Sequence, residues 1–199
     1  FAEAQKLTLA KDFNALLADT NLDAVVLATP HSQHTEQVIA AAQAGKHVFC
    51  EKPFALTKAD ADAAVAATKK AGVTLGLGYN RRFHPEMTAL REKIRSGEIG
   101  TVLHFEATMT FPNALFLKPE AWRADREETP CGGLTPMGVH AIDGMIDLGG
   151  EIDSVFCQSF RRVVEIGDAP RQSRAFQAWT RSWKRWPSRR GRSLARGWR

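Results

Sequence analysis

The chain has 199 residues, 44% of them hydrophobic, enough to bury a core of ordinary size in one or two domains. No window approaches the run of about 18 apolar residues that a membrane helix needs, and Phe1-Ala2-Glu3-Ala4-Gln5-Lys6 lacks the basic start and apolar body of a targeting signal, so a cytoplasmic location is expected. The net charge of +5 is uneven: residues 1–166 carry 17 Lys or Arg against 21 Asp or Glu, a net of −4, whereas residues 167–199 carry 10 against 1, a net of +9.

Residues 11–18 space their apolar side chains helically, and Asp19-Thr20-Asn21 then breaks the chain before the short apolar run Ala24-Val25-Val26-Leu27-Ala28, which reads as a buried strand. Ser32 is placed to cap the next helix, which runs to Ala44 and is ended by Gly45. His47-Val48-Phe49-Cys50 is the second strand. Thr57, with Asp60 at the third helical position, caps an alanine-rich helix that Gly72 stops, and Val73 to Leu77 forms a third strand. Strand, helix, strand, helix, strand is the pattern of a parallel sheet with crossover helices.

The pattern changes after Asn80. Pro85 to Ser96 suits a linking helix ended by Gly97, and Thr101 to Thr110 alternates like an antiparallel strand with one face in water. Residues 111–133 hold Pro112, Pro119, Pro130 and Gly132-Gly133, an irregular loop of a length associated with function. Pro136 to Leu148 is a helix candidate, and Ile152 to Val164 returns to alternation. The expected division is residues 1–80, residues 81–166, and a Trp- and Arg-rich tail over 167–199.

The three cysteines, Cys50, Cys131 and Cys157, are odd in number and widely spaced, which argues against a disulfide framework or a metal site. The chemistry gathers elsewhere. In open parallel sheets ligands sit beyond the carboxyl ends of the strands, and Thr29-Pro30, Glu51-Lys52 and Asn80-Arg81-Arg82 each follow a predicted strand. A lysine partly desolvated there has its charged form disfavoured and can exchange a proton with a substrate hydroxyl. Lys52 is the candidate, against the ordinary alternative of a solvated loop lysine.

Four stretches, Ala28-Thr29-Pro30-His31-Ser32-Gln33-His34, Gly45-Lys46-His47-Val48-Phe49-Cys50-Glu51-Lys52-Pro53, Tyr79-Asn80-Arg81-Arg82-Phe83-His84-Pro85 and Gly138-Val139-His140-Ala141-Ile142-Asp143, resemble in order and spacing the glucose-fructose oxidoreductase and inositol dehydrogenase family. The resemblance covers residues 1 to about 166. It implies an α/β chain: a partial Rossmann-like parallel sheet followed by part of an α+β substrate domain. It further implies an NAD(P)-dependent oxidoreductase of sugars, polyols or related polyhydroxylated compounds, with Lys52 and His140 catalytic. Thr29, Pro30, His34, Glu51, Lys52, Asn80 and Arg82 are carried over as cofactor neighbours, and the Lys52-Pro53 bond as cis. The family's helix also brings an aspartate one turn before the histidine. Here that position is Pro136, so Thr135 or a water would have to substitute, or the proton relay differs; Asp143 suits a structural role.

No Gly-x-Gly-x-x-Gly turn occurs in the sequence, so the phosphate loop and the residue that selects NAD from NADP are not readable here. The expectation is a chain incomplete at both ends, with weak cofactor binding and slow or no turnover. Its basic tail, of a composition that shifted GC-rich codons would yield, is expected to lie outside the core. Reading Arg189-Arg190-Gly191-Arg192 and the nearby tryptophans as a nucleic-acid-binding arm is disfavoured. A noncatalytic remnant acting as an interaction module is the competing reading of the whole. The resemblance also implies exposed sheets that serve as contacts in homo-oligomers.

Overall fold

A computed structural model describes residues 2–110, 112–158 and 177–179. Its centre is a parallel sheet of β1 (Ala24–Leu27), β2 (His47–Cys50) and β3 (Leu75–Leu77) in that order, with Val25 beside Val48 and Val48 beside Leu75. The crossovers are α2 (His34–Gln43) and α3 (Lys58–Ala71), and α1 (Phe13–Ala18) leads into β1. This is the Rossmann-like α/β arrangement that the alternation of apolar runs and capped helices predicts.

Side chains alternate across a strand, so each strand offers one residue in two to the helices. Val25, Leu27, Val48 and Cys50 take that face and pack with Val38 and Ala41 of α2 and Ala64 of α3. Burial pushes the Cys50 thiol up to about 12, which leaves it an apolar filler rather than a nucleophile. The opposite face carries Val26, 72% exposed, and Phe49, 43% exposed.

The helix ends follow the sequence with one exception. Asp12 accepts from the Ala15 N–H at 2.8 Å, Thr57 accepts from the Asp60 N–H at 3.1 Å, and Gly72 closes α3 in the left-handed region at φ 68°. Ser32 does not cap α2. Pro30 leads instead into a 3-10 turn, His31–Gln33, that runs directly into the helix, and Ser32 turns its polar groups to Glu128. At the amino ends of the strands, buried Lys46 donates to the carbonyls of Asp19 and Leu22, 2.7 Å each, tying the turn before β1 to the turn before β2.

Beyond β3, a 3-10 turn over Asn80–Phe83 enters α4 (Pro85–Ser96), which meets α5 (Gly138–Gly149). Arg82 grips Asp143 with two hydrogen bonds, 2.7 and 2.5 Å, and Arg91 reaches Asp147 at 2.5 Å. These charge-assisted pairs join the turn, α4 and α5. Residues 101–110 do not form the expected strand. Their alternation marks which side chains could be covered, but a strand needs a neighbouring edge to satisfy its backbone, and among the described residues none pairs with this segment. Residues 112–133 are irregular apart from short 3-10 turns, and β4 (Phe156–Gln158) pairs antiparallel with β5 (Gln177–Trp179). The strand expected over 152–164 thus begins only at Phe156; residues 159–164, and 167–176 and 180–199 of the basic tail, lie outside the described residues. Among the described residues no helix is long and apolar enough to cross a membrane.

Thr57→Ala removes the hydroxyl that serves the first turn of α3 and is expected to cost about 1 kcal/mol. Urea unfolding midpoints of the two chains, at unchanged slope, measure it.

Candidate active site

Polar residues follow each strand of the sheet, and the three parallel strand ends open on one rim. Thr29 follows β1, Glu51 and Lys52 follow β2, and Asn80 follows β3. Once the ladder stops, the exit loops carry backbone carbonyls that need partners. His34, with 0% of its surface exposed, lies between two of them. Its Nδ1 is 2.9 Å from the Pro53 carbonyl and its Nε2 is 3.1 Å from the Thr29 carbonyl. A neutral imidazole carries one N–H, so His34 donates to one of these two carbonyls while its ring fills the space against the other, and it braces the rim in either tautomer. The Thr29 hydroxyl donates to the Gln37 side chain at 2.6 Å, and Pro30 starts the 3-10 turn.

The Lys52-Pro53 peptide is cis, as the resemblance implies. Lys52 is half-buried and its ammonium donates to the Pro136 carbonyl at 2.9 Å. A backbone oxygen therefore stands against Lys52 where the family's aspartate was expected. Thr135 does not fill that role through its hydroxyl, which accepts from the Cys131 N–H at 3.1 Å. Desolvation lowers the Lys52 pKa; Glu51 opposes that effect, and Arg123 and Arg81 reinforce it. The Glu51 carboxylate lies against Gly78, where a Cβ would come within 3.0 Å of an oxygen, so glycine at 78 makes room for it.

His140, one turn into α5, is 7% exposed. Its Nδ1 is buried without a hydrogen-bond partner, and Tyr79 meets the ring edge-on at 6.2 Å between centroids. Burial lowers its pKa, as do the charges of Lys52 and Arg81. A neutral imidazole with an unsatisfied nitrogen beside a lysine of lowered pKa can exchange a proton with a bound hydroxyl.

The loop 111–133 closes over the rim through residues that sequence reasoning missed. Glu128 accepts from the Ser32 N–H at 3.0 Å and the Ser32 hydroxyl at 2.5 Å, while its carbonyl lies 2.8 Å from His31 Nδ1. Trp122 packs edge-on against His31 at 4.9 Å, and the Arg123 guanidinium sits 4.1 Å above the Trp122 ring. The loop's proline content and length signalled a functional segment, but no spacing singled out Glu128 within it. Of the expected cofactor neighbours, Thr29, Pro30, Glu51, Lys52 and Asn80 share the rim. His34 lies beneath it, and the Arg82 guanidinium is committed to Asp143 and Asp147.

Residues 1–79 match the oxidoreductase family, NAD-binding Rossmann fold, and residues 87–181 match the GFO/IDH/MocA C-terminal domain. The chain belongs to the GFO/IDH/MocA oxidoreductase family. The nicotinamide dinucleotide expected from the sequence is the cofactor of that family's Rossmann domain. Among relatives, the myo-inositol 2-dehydrogenase of Thermotoga maritima is 48% identical over 163 residues, covering 80% of this chain and 46% of that protein. The WlbA dehydrogenase of Bordetella pertussis, in complex with NADH and UDP-GlcNAcA, has a TM-score of 0.72 at 27% identity over 83% of this chain and 48% of its own. Levoglucosan dehydrogenase, in complex with NADH and levoglucosan, gives 0.69 at 29% identity over 86% of this chain and 46% of its own. The chain spans about half the length of the curated relatives it matches.

The strand-end rim gathers the carboxylate of Glu51, packed on Gly78, the ammonium of Lys52, and the amino end of α5, where the buried Nδ1 of His140 has no hydrogen-bond partner. These residues fit the nicotinamide half of a dinucleotide. The phosphate-cradling glycine turn is not among the 199 residues.

His34→Leu removes the one N–H that serves the Thr29 or the Pro53 carbonyl and should cost about 1–3 kcal/mol. Urea unfolding reads the loss directly. A pH effect follows from His31 and His140, both lowered by burial below the unfolded value of 6.5. The unfolded chain then takes up protons at higher pH than the folded one. Their contribution is undiminished above pH 6.5 and is lost as pH falls through the lowered folded pKa values. Titrating the imidazole C–H signals by NMR should place both below 6.5, and the unfolding midpoint should fall between pH 7 and pH 5.

Proposed function

We propose that this chain carries the nicotinamide-side catalytic site of an NAD(P)-dependent oxidoreductase acting on CH–OH groups of sugars, polyols or related polyhydroxylated compounds. The observation that carries it is the meeting of Lys52, from the end of β2, with the amino end of α5, which bears His140. In this reading residues 1–80 are the dinucleotide-binding unit and residues 81–166 the linking helix and substrate unit. Both family matches and the named relatives support it. A cytoplasmic location fits nicotinamide chemistry.

When bound, the nicotinamide accepts or supplies the hydride. The protein's share is proton management and placement. Lys52, half-buried with its charge disfavoured, takes the proton of the reacting hydroxyl in oxidation and returns it in reduction. The His140 imidazole, held neutral by burial and by the charge on Lys52, is the second partner of that hydroxyl or the next proton carrier. Thr29, Pro30, Glu51 and Asn80 line the cofactor side, His34 keeps the first two strand ends in register, and the Arg82–Asp143 pair fixes α5 so that His140 faces Lys52.

The test is sugar- or polyol-dependent reduction of NAD or NADP, followed at the absorbance of the reduced nicotinamide, with myo-inositol among the substrates. Lys52→Ala should lower turnover by about a hundredfold or more, with dinucleotide affinity changed less than about threefold. Turnover retained in that variant would overturn the assignment.

A further inference from the structure

With Lys52 read as the proton-exchanging group, whatever fixes its contact with the Pro136 carbonyl gains weight. That carbonyl stands at the end of a connected run of turns. The Thr129 N–H donates to the Asp125 carbonyl at 3.0 Å, the Gly132 N–H to the Thr129 carbonyl at 2.9 Å, the Thr135 N–H to the Gly132 carbonyl at 3.1 Å, and the Met137 N–H to the Gly133 carbonyl at 3.2 Å. The Cys131 N–H donates to the Thr135 hydroxyl at 3.1 Å. Residues 125–137 therefore form one hydrogen-bonded unit, and Glu128 fastens it to the far side of the rim. Its carboxylate accepts from the Ser32 N–H at 3.0 Å and from the Ser32 hydroxyl at 2.5 Å, and its carbonyl accepts from His31 Nδ1 at 2.8 Å. Glu128 is 9% exposed and has little water to turn to, so the two bonds from Ser32 answer its charge. Arg82 holds α5 only further along, at Asp143, and leaves the segment before the helix to Glu128. The contacts close a ring. It runs from Lys52 past Pro53 and His34 to the exit of β1 at Thr29, through Ser32 and Glu128 into the turns, and back through Pro136 to Lys52.

We propose that Glu128 is the positioning residue for Lys52: by latching residues 125–137 to Ser32 and His31, it holds the Pro136 carbonyl against the Lys52 ammonium. Without the latch the turns swing away from the rim, and Lys52 loses both that carbonyl and the cover that keeps it half-buried. Burial is the main cause of the lowered Lys52 pKa, so a released Lys52 returns toward its ordinary value of 10.5. A carboxylate that merely stabilised its own loop would leave Lys52 unchanged.

The experiment compares the full chain with Glu128→Ala, Glu128→Gln and Ser32→Ala. Hydrogen exchange reads the residue-32 amide, and an NMR titration reads the Lys52 ammonium, its signal assigned with Lys52→Arg. In Glu128→Ala, exchange at Ser32 is expected to quicken about tenfold or more, and the Lys52 titration to move up toward 10.5. Glu128→Gln keeps an acceptor for Ser32 and should return both readings most of the way. Ser32→Ala keeps the N–H bond and loses the hydroxyl, so its Lys52 titration should fall between those of the unaltered chain and Glu128→Ala. Urea unfolding checks that each variant is folded; where Glu128→Ala is not, Ser32→Ala against Glu128→Gln decides. Quickened exchange with a Lys52 titration unmoved or lowered overturns the proposal and leaves the oxidoreductase reading intact, because the latch then serves its loop alone. Unmoved exchange at Ser32 overturns it as well. A raised Lys52 titration alongside turnover retained in Lys52→Ala upholds the positioning and sinks the proposed function.

Discussion

The site depends on a buried imidazole that touches no reacting group. Parallel strands leave their ladder with carbonyls unpaired, and a rim whose loops each sought water would not hold a lysine to a fixed position. His34 stands between two of those carbonyls, from Thr29 and from Pro53, donates its one N–H to one of them, and is buried whole in doing so. Lys52 directly precedes Pro53, so the direction of its side chain is inherited from that brace. The contact with Pro136, and through it the approach of α5, is the next link in the same chain of constraints. Glu128 does for the outer loop what His34 does for the inner one, closing on Ser32 and His31 with its carboxylate and its carbonyl.

The arginines divide by their surroundings. Arg82 and Arg91 are matched by Asp143 and Asp147, whose side chains are nearly buried, and these pairs fasten one helix to another. They have little left for a ligand, and breaking one would leave a carboxylate stranded in a dry contact. Arg123, over an aromatic face that leaves its charge uncancelled, acts on Lys52 from a distance. The sequence reading carries Arg82 over as a cofactor neighbour; in the structure its guanidinium meets the acidic face of α5 in a two-bond geometry, a tertiary contact that no local pattern announces.

That difference explains how much of the molecule was legible beforehand. Val25, Leu27, Val48 and Cys50 were readable because period-two burial and capped helices are local properties of the chain. The Thr57 cap and the Gly72 stop were readable for the same reason. Ser32 was misread because its hydroxyl had a partner 96 residues away, and a tertiary hydrogen bond displaced the local cap. Residues 101–110 were misread because alternation states only which faces differ, while a strand also requires an edge to join. Lys52 and His140 were legible as chemistry through motif resemblance, but the oxygen that meets Lys52 belongs to backbone, which no residue pattern announces.

Lys52 and His140 share one cause for their lowered pKa values, and the sharing has mechanistic weight. Burial disfavours charge on each, and the charge on Lys52 further disfavours a proton on His140. The two groups are therefore coupled: a proton on one repels a proton on the other.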